Sequence, residues 1–241
     1  MAMSQSAAAR PANRSATARE RARAELTREI KEEARRQLAQ VGAAALSLRS
    51  VARELGMVSS ALYRYYPSKE DLLTALIIEA YDALGEAAER ASAGPPPADV
   101  RGRWRAACHA VRDWALAHPH EYALIYGSPV PGYRAPQATI APAIRVARVI
   151  GVLLADARPP SPHALPGDLA GQAATVAAAI APEAPGPVIT RGLIALTQLF
   201  GMISFELFGQ FVGSLDPADS FFGYAVERMA DFVGVVPEDA A

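Results

Sequence analysis

Cysteine is almost missing from this chain: Cys108 is the one thiol in 241 residues. A lone thiol builds no disulfide framework, which fits a reducing compartment, so a cytoplasmic protein is expected. The N-terminal stretch lacks an apolar segment behind its first basic residue, and no secretory signal is read there. Alternating runs of Val, Ile and Thr bounded by hairpin turns are also lacking, which predicts an all-α fold. No G-x-S-x-G, phosphate-binding glycine loop or H-E-x-x-H is present. The histidines, His109, His118, His120 and His163, do not fall at ligand spacing. No metal, no cofactor and no enzymatic activity are therefore expected. An uninterrupted membrane-length apolar run is lacking too. The most hydrophobic stretch, 188–213, contains Arg191, Gln198, Glu206 and Gln210 and reads as a core or interface helix rather than a membrane span.

What is there is an ordinary globular composition, 51% hydrophobic and 20% charged, with its charge unevenly placed. Residues 1–70 hold 13 Lys/Arg against 7 Asp/Glu; residues 71–241 hold 11 against 18. A basic N-terminal third on an acidic remainder suggests that one end meets a polyanion, although chance clustering on a solvated surface gives the same numbers. Three regions follow: a flexible basic arm over 1–25 that can turn helical near its end, a compact module over 26–70, and a larger helical domain over 71–241.

Leu26, Ile30, Ala34, Leu38 and Val41 mark one helical face, ended by Gly42. Glu32 and Glu33 read as solvated partners of Arg35 and Arg36. Ser47 is placed to cap a second helix with Leu48, Val51, Ala52 and Leu55 inward, stopped by Gly56. A third helix fits 59–65 and is closed by Pro67; Ser68 with Asp71 then opens a fourth, running towards Ala91. Beyond the break at 94–97, helices are predicted over 99–118, 119–126, 137–157, 168–180, 188–212 and 217–233. The last is expected to open on Asp216 as cap, Pro217 and Asp219.

Three short helices with a glycine turn between the second and third describe a helix-turn-helix. Leu62 anchors the third helix inward, which leaves Ser59, Ser60, Ala61, Arg64 and Tyr65 with outward or flanking directions. Small residues at its start allow close approach to a groove, and Arg64 can reach a base edge or a phosphate. The segment LRSVARELGMVSSALYRYYPSKEDLLTALI resembles the signature of the TetR family of transcriptional regulators. That resemblance implies that Tyr63, Tyr66 and Lys69 clamp phosphates. It also implies that Ser59, Ser60, Ala61 and Arg64 face the major groove of operator DNA, with Ser47 and Arg49 near the backbone. On residue character alone, both tyrosines can equally pack between helices. The family often carries Ser or Thr where this chain has Val58, which moves the expected N-cap of the third helix to a neighbouring residue. The arm's arginines read as a tail, or as a minor-groove reader of the homeodomain kind.

Further on, LTQLFGMISFELFGQF followed by DPADSFF resembles the C-terminal domain of a TetR subgroup named for a Trp-His-Gly pattern. Leu196 and Phe200 stand at the Trp and His positions, while Gly201 and Glu206 match. The family resemblance implies a homodimer through 188–233, and the chemistry of the candidate wall residues points to an unknown small effector that is apolar or amphipathic. Candidates to line its cavity are Trp104, Cys108, Tyr126, Ile144, Leu153 and Phe200. Glu206 reads as an ion-pair or hydrogen-bond partner at the dimer interface, or as a solvated edge residue. The function implied is a repressor released by that effector. The alternative is a helical small-molecule-binding protein with weakened DNA affinity.

Overall fold

The structure, a computed structural model, describes residues 12–160 and 164–236, with side chains from residue 17 onward. Every regular element among them is a helix. The chain divides into two compact units, Met1–Leu73 and Thr74–Ala241, against an expected boundary at residue 70.

The first unit opens on α1 (Ala12–Ala45), so the arm is helical well ahead of residue 26. Its Ala, Arg and Glu are strong helix formers, and they continue a helix already nucleated by packing further on. Residues 1–11 of the expected arm lie outside the described residues. Ile30, Ala34 and Leu38 are buried as their spacing predicts. Val41 is instead 54% exposed, next to the non-helical Gly42 (φ 73°). Glu33 is also a correction: it is buried rather than solvated, and Arg36 Nε (2.9 Å) and Gln37 Nε2 (2.8 Å) donate to its carboxylate. Its charge is tolerable in the interior because both oxygens are hydrogen-bonded.

α2 (Leu48–Glu54) follows, then α3 (Ser59–Leu62) and the start of α4 (Lys69–Ser92). α2 packs on both α1 and α3. The core of this unit is aliphatic and close-packed: Leu46, Val51, Ala52, Leu62, Leu72 and Leu73 are each at most 2% exposed.

The second unit contains the rest of α4, α5 (Val100–Ala117), α6 (Pro119–Tyr126), α7 (Ile140–Ala143), α8 (Arg145–Ala157), α9 (Gly167–Ile180), α10 (Gly186–Leu207) and α11 (Asp219–Val233). α10 is its centre, packing against α5, α6, α8, α9 and α11. Three predicted helices differ from those found. The one over 137–157 breaks at Ile144 into α7 and α8, bent by 43°, two residues after Pro142, which has no N–H to donate. α10 stops at Leu207 and leaves 208–212 as turns. α11 starts at Asp219 with Ala218 as its cap, so Asp216 is not the cap; the Asp219 carboxylate accepts from Arg112 Nη1 instead (3.1 Å).

α10 has the length and apolarity of a membrane span. Yet Glu206 is held in a bidentate pair by Arg112 of α5, Nε–Oε2 2.7 Å and Nη2–Oε1 2.6 Å. An acid locked to its own chain's core helix makes α10 a core helix, and it corrects the expectation that Glu206 faces a second subunit or solvent.

Candidate nucleic-acid interface

The turn between α2 and α3 follows from one glycine. Gly56 takes φ +66°, its N–H bonds the Arg53 carbonyl (3.1 Å), and Met57 N–H bonds that of Ala52 (2.8 Å). This is a Schellman stop, which an L side chain at Gly56 would strain. α3 then projects away from the line of α2. Its cap is Val58 itself, 70% exposed and with no side-chain bond to the helix. The cap thus stays at Val58, because the backbone there is already extended (ψ 138°) and a cap is defined by backbone geometry whether or not a side chain assists.

α3 is shorter than predicted. After Leu62 the chain tightens into turns, with Tyr65 N–H and Tyr66 N–H both on the Leu62 carbonyl (2.8 and 3.1 Å). Tyr63 and Arg64 therefore stand on a turn and are exposed. Ser60 is exposed, Ser59 and Ala61 are half-buried, and Leu62 is fully buried as the anchor. Tyr66 is only 9% exposed, so its ring packs in the core of the unit and does not stand free like Tyr63.

Ser47 occupies the cap position of α2 without a side-chain bond to the helix, its carbonyl accepting from Val51 N–H (3.0 Å), and Arg49 is exposed. Ser68 closes the other side: Asp71 N–H donates to its Oγ (3.1 Å), and Oγ–H donates to Asp71 Oδ2 (2.7 Å). Lys69 Nζ donates to the Ala44 carbonyl (2.6 Å) at the end of α1. An ammonium has three donors, so this bond orients the charge and leaves two for another acceptor. One contact has no counterpart in the sequence pattern: the Arg23 guanidinium lies 5.1 Å from the centroid of the Tyr65 ring. Arg23 is 42 positions upstream of Tyr65, and no local rule links them.

Five of the six effector candidates belong to one apolar cluster, Trp104, Cys108 and Leu153 within it and Tyr126 and Phe200 packed against it. Trp104, Cys108 and Leu153 are core residues at most 1% exposed. Trp104 Nε1 donates to the Val226 carbonyl (3.1 Å), and burial pushes the Cys108 thiol pKa far up. Ile144 packs on a separate cluster around Ile180 and Ile189. Tyr126 and Phe200 do meet, stacked at 4.2 Å. Tyr81 (5.9 Å) and Tyr122 (5.1 Å) also pack on the Tyr126 ring. Burial drives the Tyr126 phenol strongly upward, and that of Tyr122 to about 12.

With this geometry in view, the comparisons with known proteins are decisive. Residues 30–76 match the model of bacterial regulatory proteins of the tetR family, and residues 104–229 match a tetracyclin repressor-like C-terminal domain. An HTH-type transcriptional regulator of Mycobacterium tuberculosis is 38% identical over 201 residues, covering 79% of this chain and 84% of the relative; one of Mycobacterium bovis aligns to the same extent.

The chain belongs to the TetR family.

The crystal structure of regulatory protein SCO4313 superposes with a TM-score of 0.75 at 34% identity, over 88% of this chain and 98% of that one. A TetR family regulator from Thermus thermophilus, 21% identical, shares the fold at a TM-score of 0.53, over 83% and 96% of the two chains. The TetR assignment makes this chain a DNA-binding transcriptional regulator and not an enzyme.

Proposed function

We propose that this TetR-family chain is a homodimeric repressor that acts in the cytoplasm and leaves its operator when a small apolar or amphipathic effector binds. The observation that carries the dimer is an exposed apolar strip along α10 and α11. Ile194 (52% exposed), Tyr224 (65%) and Phe232 (46%) rim a shallow apolar hollow of about 350 Å³ that includes Met229 and Phe221. Large apolar side chains gathered on one face are what an interface leaves behind when one subunit is viewed alone.

In the DNA unit, the exposed set Ser60, Tyr63, Arg64 and Arg49, with Ser59, Ala61, Ser47 and Lys69 beside it, supports α3 as the reading element. Arg64 reaches bases; Tyr63, Lys69, Ser47 and Arg49 hold phosphates. Tyr66, being buried, serves as a brace. Two such units address half-sites about one helical turn apart, roughly 34–36 Å.

For the effector, Tyr126 and Phe200 remain the best supported of the six candidates, since they are partly buried aromatics rather than closed core. The division between the two units falls inside α4. Thr74 of α4 meets the Tyr133 hydroxyl (3.0 Å), and Arg145 of α8 holds Asp82 (2.8 Å) and Glu89 (2.6 Å). An effector that shifts α8 or the loop carrying Tyr133 therefore pulls on α4. It releases DNA only as far as it prefers the shifted state.

The test begins with selection of a preferred duplex from a random library, followed by binding in rising salt. Tight, salt-sensitive binding is expected, with Arg64→Ala losing base preference and Tyr63→Ala weakening all sequences alike. Sedimentation should report a dimer that Ile194→Glu dissociates. A dimer that shows no preferred duplex would favour the ligand-binding alternative, for which Val58, a cap without a side-chain bond, speaks.

A further inference from the structure

The stretch of α1 ahead of the packed unit is a helix with no apolar side chain to bury. Residues 17–25 are all exposed, and none is an apolar residue larger than alanine. Two of its three cations share one face. Taking 100° per residue, Arg19 and Arg23 fall within a sector of about 60° that also contains Ile30 and Ala34, the two residues α1 buries in the unit. The face that packs inward below thus continues outward as a basic edge.

That edge is anchored, because Arg23 lies over the ring of Tyr65, on the turn that follows α3. Arg19 is one turn further out, about 6 Å along the axis. At three and four positions on either side of it stand Ser15, Ala16, Ala22 and Arg23, with no carboxylate among them. Two like charges at this spacing destabilise a lone helix slightly, and a polyanion alongside would reverse that. Of the acids in this stretch, Glu20 stands three positions before Arg23, and Glu25 is engaged by Arg28, which also holds Glu32 (2.7 Å).

Resting on the DNA-binding reading above, we propose that the N-terminal extension of α1 is a second DNA-contacting element, in which Arg19 and Arg23 contact backbone phosphates beside the site read by α3. Being helical, it does not enter the minor groove. A helix with side chains is about 10–12 Å across, and that groove is about 6 Å wide. It lies along the phosphates and adds affinity without adding base preference.

The experiment uses the full chain and the duplex selected above. Binding is measured from low to high salt for the unaltered chain, an Arg19→Ala/Arg23→Ala double variant, and Arg21→Ala on another face of the helix. The slope of log K against log salt should shrink by about 0.9 for each cation removed, counted over every bound subunit. Sequence preference should stay the same, and Arg21→Ala should leave the slope as it was. An unchanged slope in the double variant, beside intact binding, would overturn the proposal. So would an equal loss with Arg21→Ala, which would mean diffuse charge and no contacting edge. A double variant that alters dimerisation but not the slope would assign the edge to a subunit contact, and that too overturns it. Failure of the unaltered chain to bind any duplex at low salt would remove the regulator reading itself. Circular dichroism of the variants confirms that α1 is retained.

Discussion

The two units of this protein are held together over very different distances in sequence. In the first, neighbours dominate, Glu33 with Arg36 and Gln37, Ser68 with Asp71 and Gly56 with Arg53, beside the longer reaches of Lys69 to Ala44 and Arg23 to Tyr65. In the second, the polar contacts span the domain. Arg101 reaches Glu227 across 126 positions (2.8 Å), Arg112 reaches Glu206 across 94, and the Tyr122 hydroxyl meets Ser204 across 82 (2.9 Å). A module built from local contacts announces itself in a short window of sequence. A domain built from distant pairs conceals which side chains meet until it has folded.

The contrast is most sharply broken at Arg112. Its side chain is 6% exposed and serves Glu206, Asp219 and the Phe222 ring together. Arg112→Ala strands Glu206 and should cost about 3–5 kcal/mol in urea unfolding. An Arg112→Met/Glu206→Met double change should recover much of that loss, since neither charge is then left alone. If the single variant unfolds like the parent, the second unit is not organised by its distant pairs.

Next comes Gly85, where α4 and α8 approach so closely that a Cβ would stand 2.5 Å from the Arg145 Cβ. Gly85→Ala should cost about 1–3 kcal/mol by overpacking. It should also loosen the Arg145 hold on Asp82 and Glu89, and so weaken any effector-driven release of DNA. In the first unit the corresponding probe is a cap: Ser68→Ala removes the bond to Asp71 N–H and should cost about 1 kcal/mol. DNA affinity should fall with it, because Lys69 is the next residue. A loss much larger than this would mean that the unit depends on more than local contacts.

The gentlest probe is acid. The hydrogen bond from Arg105 to Glu227 and that from Arg145 to Glu89 each hold a carboxyl pKa below its usual value. A depressed acid adds stability that is fully present above the ordinary carboxylate range and is lost as pH falls through the folded-state value. Thermal melts should therefore be flat near neutrality and decline below about pH 4. Glu227→Gln should lower the neutral plateau and soften that decline.

Much of the DNA-binding unit was legible because each of its signals is local. The spacing of Ile30, Ala34 and Leu38, the stop at Gly56, the anchor Leu62 and the cap Ser68 all act within a few residues. Local rules failed where burial depends on what lies opposite. Glu33 passed for a surface acid although it is interior, and the choice for Tyr66 between phosphate ligand and packing between helices stayed open until its burial was seen. The effector candidates were chosen for apolar character, which core and cavity wall share; only Tyr126 and Phe200 emerged as a partly open aromatic pair.

The sequence by itself determined the helical class, the helix-turn-helix and its family resemblance, since helical periodicity, glycine turns and caps are short-range physics. The tertiary structure decided the partner of Glu206, the break at Ile144, the late start of α11 and the seat of Arg23 on Tyr65. Periodicity says which face of a helix turns inward. It does not say which helix will be waiting there, because that depends on how the intervening chain closes.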